Sequence, residues 1–219
     1  MNRPLTLRPG ACALASCAVL AATLAAQPAG VRTFDDEAID RAPSGFTFAA
    51  MRQPAPGVWR IGWRPGERFL AHDAEAGAAG YALALAAMDP LRDLVVSARL
   101  KLAGGTRAGG LVWRYHDPQN FYAVVLDLPA GVLSMLRIVD GNRITIEREG
   151  DLELDPNGWH TLKVAHDDTS VYVSIGGIRV INERDRRLDR FGPGLAGLVA
   201  VGDAEVWFDD LRIDPERPR

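Results

Sequence analysis

Six polar side chains could do chemistry together: Arg114, His116, Asp117, Asn120 and Tyr122 within the run Leu111 to Asp127, and Arg137 a short way beyond it. Arg and Asn present several donors at fixed angles, and an aromatic ring covers the apolar face of a pyranose. Such a set suits a polyhydroxylated ligand, a carbohydrate, bound against a wall that excludes water. The competing reading is structural, with Arg114 paired to Asp117 or Asp127 at a sheet edge and Trp113 in the core.

Other constellations are weaker. Asp151, Glu153 and Asp155 alternate, so on a strand they would share one face, and a glycosidase needs two carboxylates with separated pKa values. They run directly into the turn Pro156-Asn157-Gly158, which favours a solvated strand face over a catalytic trio. Asp35 and Asp36 near the start, with Asp209 and Asp210 near the end, meet if the terminal strands are neighbours. Carboxylates and carbonyl oxygens are the ligands Ca²⁺ takes, so a structural Ca²⁺ is one reading; a turn-capping role for Asp209 or Asp210 is the other. His72, His116, His160 and His166 have no metal-ligand spacing. No Gly-x-Ser-x-Gly elbow and no Gly-rich phosphate loop is present, which argues against acyl and phosphoryl transfer.

The elements that must position these groups are strands. Leu94 to Leu102 alternates strictly, with Leu94, Val96, Ala98, Leu100 and Leu102 on one face and Val95, Ser97, Arg99 and Lys101 on the other. Leu111 to His116 and Phe121 to Asp127 form a hairpin across Asp117-Pro118-Gln119-Asn120. Alternation sends Leu111, Trp113 and Tyr115 one way and Val112, Arg114 and His116 the other. Val132 to Val139 and Ile144 to Glu147 flank Asp140-Gly141, and Val171 to Ile175 and Ile178 to Ile181 flank Gly176-Gly177, both hairpin turns. Val58 to Ile61, Tyr81 to Ala87, Trp159 to Ala165, Leu195 to Val201 and Glu205 to Ile213 are further strands, the last near the N-terminal strand. Glu183 to Phe191 reads as an exposed crossing loop. Many short strands with no long helix predict an all-β, antiparallel, two-sheet jelly-roll sandwich.

Gly109 to Tyr115 followed by Asp117-Pro118, Asn120 and Phe121-Tyr122 resembles the core motif of the 3-keto-disaccharide hydrolase domain family. Val139 to Arg143, Trp159 to Val164, Gly176-Gly177, Gly194 to Leu198 and Phe208 to Leu211 follow in the family's order. The resemblance covers the chain from about Phe34 onward. It implies a concanavalin A-like lectin/glucanase fold, a sugar-binding concave sheet and hydrolysis of glycosidic bonds in (keto-)disaccharides. Val125, Ser134 and Leu136 depart from the family's pattern of Arg, Arg and Tyr near those positions, which removes part of the polar lining. The alternative is a non-catalytic glycan-binding module or a structural interaction module, since the fold hosts all of these.

Residues 1–26 carry Arg3 and Arg8, an apolar run from Ala11 to Ala26 and no acidic residue, the pattern of a secretory signal. Residues 27–32 read as a flexible leader, 33–215 as the sandwich and 216–219 as a tail. A secreted or periplasmic, monomeric protein is expected, without a membrane span. Leu14-Ala15-Ser16-Cys17 also resembles a lipobox, in which Cys17 would carry a lipid anchor. Cys12 and Cys17 are the two cysteines, so a chain cleaved after Ala26 has no thiol. The formal net charge is −3 over 219 residues, with no basic run, so nucleic acid is not an expected partner.

Overall fold

The computed structural model describes residues 30–51, 57–184 and 191–216. The signal segment, both cysteines, the end of the tail and most of the crossing loop lie outside them. Fourteen strands follow one another: β1 (Phe46–Ala50), β2 (Val58–Arg64), β3 (Glu67–Asp73), β4 (Tyr81–Ala86), β5 (Leu94–Gly104), β6 (Ala108–Asp117) and β7 (Asn120–Asp127). Then come β8 (Val132–Val139), β9 (Asn142–Glu149), β10 (His160–Asp167), β11 (Ser170–Ile175), β12 (Ile178–Arg184), β13 (Leu195–Val201) and β14 (Glu205–Pro215). No helix occurs among the described residues, so none of them forms one long and apolar enough to cross a membrane.

Two seven-stranded sheets stack face to face. The first runs β1-β4-β13-β6-β7-β8-β9 and the second β12-β11-β10-β5-β14-β3-β2, with antiparallel pairing throughout. The strict alternation of β5 buries its five apolar residues between the sheets, against Leu111, Trp113, Val124 and Leu126 of the first sheet. Asp140 and Gly141 both take positive φ, 49° and 74°, as does the pair Gly176 and Gly177, which gives the primed turns that two-residue hairpins need. β14 lies between β5 and β3, in the middle of its sheet, and Arg32 pairs with Leu211 of the same strand. Arg32, placed at the end of the leader by its sequence, is therefore already part of the folded body.

Two expectations are corrected. Asp151 to Asp155 is not a strand: Leu152 and Leu154 pack against the core and the three carboxylates are exposed. The alternation of β6 breaks at a bulge, where the pairing with β7 shifts between Trp113 and Asp117 and Arg114 has φ of 45°. Opposite β13 the step from Val112 to Tyr115 holds one extra residue, which puts Tyr115 on the same face as Val112. Tyr115 thus lands on the outer face beside Phe121, while Arg114 turns into the molecule.

Candidate functional site

The bulge decides what the six sequence-predicted residues can do. Arg114 is fully buried; it donates from Nε to the Arg92 carbonyl at 2.8 Å and from Nη1 to the Phe191 carbonyl at 3.1 Å, and it approaches Asp93 Oδ1 at 3.4 Å. It ties the loop before β5 and the segment before β13 to β6. Gly194 passes so close that a Cβ there would sit 2.7 Å from Arg114 Cα. Tyr122 is also fully buried, its ring stacked 5.6 Å from Trp113 between the sheets. Trp113 Nε1 in turn donates to His166 Nδ1 at 2.9 Å. Arg137 pairs across from Tyr122 and is half-buried. Only His116, Asp117 and Asn120 reach the surface together, at the hairpin end, where Asn120 Nδ2 donates to both oxygens of Asp117. Arg114 and Tyr122 present no surface to a ligand, and the set does not form a groove.

The outer face of the first sheet, where a sugar cleft was expected, is hydrocarbon. Leu83, Val112, Ala123, Leu136 and Val199 form its floor, each 2% exposed or less. Tyr81 of β4 and Phe121 of β7 meet above the intervening strands, ring centroids 6.3 Å apart, and Tyr115 packs 6.2 Å from Phe121. The Arg143 guanidinium of β9 lies close enough to the Tyr81 hydroxyl to act on it. Burial pushes the Tyr81 phenol up, and Arg143 offsets part of that. Val125, Ser134 and Leu136 stand in this face, 8%, 9% and 1% exposed, so the polar lining lost in sequence is replaced by packing.

The outer face of the second sheet has the opposite chemistry. Phe69 of β3 stacks on Trp207 of β14 at 4.6 Å, and Trp159, just before β10, meets the Phe69 edge at 6.3 Å. The Arg64 guanidinium lies 3.9 Å over the Trp207 ring, Lys101 Nζ is 5.5 Å from it, and Arg99 is 4.9 Å over Trp159. Arg99 Nη2 joins Glu67 at 3.0 Å and Asp209 at 2.9 Å, and its Nε lies 3.0 Å from Asp210. Burial is the largest influence on Asp209 and pushes its carboxyl up, while Arg99 favours the ionised form. Sequence reasoning did not single out this face. Its signal was present: Arg99 and Lys101 alternate on β5 exactly opposite the apolar row, as Glu205, Trp207 and Asp209 do on β14.

These contacts bear on the Ca²⁺ reading. Asp209 and Asp210 face one guanidinium, which occupies the oxygens a cation would need, while Asp35 and Asp36 line a separate polar cleft of about 290 Å³ with Thr33 and Ser44. Among the described residues no three His, Cys, Asp or Glu side chains come together as a metal-binding group. The four carboxylates do not fit Ca²⁺.

This is the concanavalin A-like jelly roll. Solved structures with the same architecture include the carbohydrate-binding module CBM66 of Bacillus subtilis, 19% identical with a TM-score of 0.61 over 78% of this chain and 95% of that one. Domain 4 of AbnA, a GH43 extracellular arabinanase of Geobacillus stearothermophilus solved with arabinotriose, is 13% identical with a TM-score of 0.58 over 85% and 91%. The GH43 protein BlXynB of Bacillus licheniformis is 14% identical, with a TM-score of 0.61 over 87% of this chain and 40% of that one. At such identities the likeness is one of fold. No protein-family model matches the chain, and no curated protein does.

Proposed function

We propose that the chain is a carbohydrate-engaging β-sandwich module that binds without turnover, using the outer face of its second sheet. The observation that carries this reading is the half-buried Trp159 beside the Arg64–Trp207 stack, with Arg99, Lys101 and Glu67 around them; Phe69 and Trp207 are themselves 3% and 8% exposed, so Trp159 is the ring in the open and Trp207 is reached when Arg64 moves aside. Saccharides bind where aromatic rings meet the C–H face of the sugar and charged groups meet its hydroxyls. Arg64 is exposed and stacks on Trp207. Such a stack is worth about 0.5–1 kcal/mol at an exposed site, so a sugar ring can displace it and then receive its hydrogen bonds. The structural likeness to a carbohydrate-binding module and to an arabinotriose-bound domain supports the same reading.

Turnover is not favoured by the carboxylates present. A glycosidase needs two carboxylates set across a sugar, whereas Asp209 is tied to Arg99, and Asp151, Glu153 and Asp155 lie exposed in an irregular segment. Export directed by residues 1–26 would bring such a module to periplasmic or extracellular polysaccharide; N-terminal sequencing of exported protein tests that step.

The test is calorimetric titration of the chain with a panel of neutral oligosaccharides that includes arabinotriose. Trp159→Ala should weaken binding about tenfold, equivalent to about 1.4 kcal/mol, in a variant that still unfolds cooperatively in urea. No binding of any glycan at millimolar concentration rejects the proposal. Release of 3-keto-glucose from an oxidised disaccharide would replace it with the hydrolytic reading.

A further inference from the structure

The outer face of the second sheet carries more than its aromatic corner. Three cations, Arg179 of β12, Lys163 of β10 and Arg212 of β14, stand in one line across the strands. The register sets Arg179 opposite Ser174, Ser174 opposite Lys163, Lys163 opposite Ser97, and Ser97 opposite Arg212. Direct partners in an antiparallel ladder point to the same face, and neighbouring strands lie about 4.8 Å apart. Each cation is therefore two strands, or about 10 Å, from the next, with a half-buried serine between them.

This line does not follow from the overall charge, since the chain is net negative, −3 over 219 residues. Nor is it balanced in place. Arg60 is held by Asp40 and Asp73, and Arg99 by Glu67, Asp209 and Asp210. Lys163 and Arg179 are exposed and make no ion pair among the described residues. Arg179 lies 4.4 Å over the Tyr172 ring, which holds its charge above the sheet. Arg212 gives its Nε to Asp214, yet its side chain is 57% exposed. No carboxylate stands in the line itself, so the three charges contribute nothing evident to the fold and await an anion from outside.

Trp159 belongs to the same face, four residues before Lys163 and about 13 Å from it along the strand direction. Thr161 and Arg99, which pair with each other, form the floor between the ring and the cation line. The long arms of Lys163 and Arg179 narrow that gap from one side. A chain crossing the strands here rests one edge on Trp159 and turns the other to the cations. An extended glycan flips alternate sugars, so its charges on one side recur at every second residue, close to the spacing of the line.

We infer that this line engages the anionic groups of an acidic polysaccharide, uronate carboxylates or sulfate esters, with the serine hydroxyls meeting the sugar hydroxyls between them. The inference rests on the carbohydrate reading above and names its substrate class.

The test is calorimetric titration of the chain with oligogalacturonate and oligoalginate, each beside its methyl ester, and with a sulfated oligogalactan beside its desulfated form. A charged chain should bind about fivefold more tightly than its uncharged counterpart, the worth of two exposed ion pairs. That preference should fade by about 0.5 M salt, where screening is short-ranged. Whether the uronates or the sulfated chain show it separates the two anions. Lys163→Gln and Arg179→Gln change exposed side chains; each should reduce the preference and the two together erase it, with affinity for the uncharged chains unchanged. Equal binding of charged and uncharged chains overturns the inference and leaves the carbohydrate reading standing, whereas binding of neither removes both. A preference that survives the double substitution, or equal affinity for single-stranded DNA of the same charge, also overturns it.

Discussion

Arg114 shows how a residue can be conspicuous in sequence for one reason and retained in the fold for another. A cation in the middle of an apolar hairpin invites a functional reading, and strict alternation places it on an open face. The bulge turns it inward, where its guanidinium satisfies the carbonyls of Arg92 and Phe191. Arg114→Ala would leave those acceptors short of a donor and open a void, at a cost of about 3 kcal/mol or more. Urea unfolding should therefore show a large fall in midpoint for this variant. An unchanged midpoint with lost glycan binding would return Arg114 to the ligand. Arg114→Lys should recover only part of the loss, because a single ammonium cannot reproduce the planar fork. Nothing in the residue types of Gly109 to Asp117 announces a bulge, since the pattern depends on pairing with both β7 and β13.

Strands were the legible part of this sequence, because a period of two is written directly in β5, β10 and β11 and the turns carry Asp140-Gly141 and Gly176-Gly177. The β2–β3 hairpin was half seen: β3, Glu67 to Asp73, hides its alternation behind Phe69, Leu70 and Ala71, apolar on both faces. The same holds for Phe121 to Leu126, an unbroken apolar run that signals burial on both sides and thereby the hydrocarbon outer face. Loops are joined less visibly. Asp203, in the turn between β13 and β14, accepts from the Gly77 and Thr106 backbone N–H groups at 2.9 and 2.8 Å, and these bonds hold its carboxyl below the ordinary value. A depressed folded-state pKa stabilises the fold above the unfolded value, about 3.9, and that contribution is lost as pH falls through the folded value. From about pH 4 downward the wild-type midpoint should thus fall more steeply than that of Asp203→Asn, which cannot titrate there. Parallel curves for the two proteins would show that the pin contributes nothing.

At the scale of the whole molecule, the last strand is the one that the rest encloses. β14 pairs with β5 on one side and β3 on the other, and it sends Val206, Phe208 and Leu211 between the sheets, each 1% exposed or less. Its far end also holds the start of the domain, through Arg32 and Leu211, which exchange backbone hydrogen bonds of 2.8 and 3.1 Å. Without β14 the second sheet separates into β12-β11-β10-β5 and the β3-β2 hairpin, and an isolated hairpin is marginal in water. The sandwich cannot close until β14 is made, and its pairings join strands far apart in sequence, which predicts slow folding. A chain ending at Asp203 should consequently lack near-ultraviolet circular dichroism and cooperative urea unfolding. Adding a peptide of residues 204–216 should restore both, because the missing strand is a single contiguous element with a ready slot between two partners. A truncated chain that unfolds cooperatively by itself would mean that the first sheet and β5 suffice, and that β14 is an addition to the sandwich instead of its closing piece.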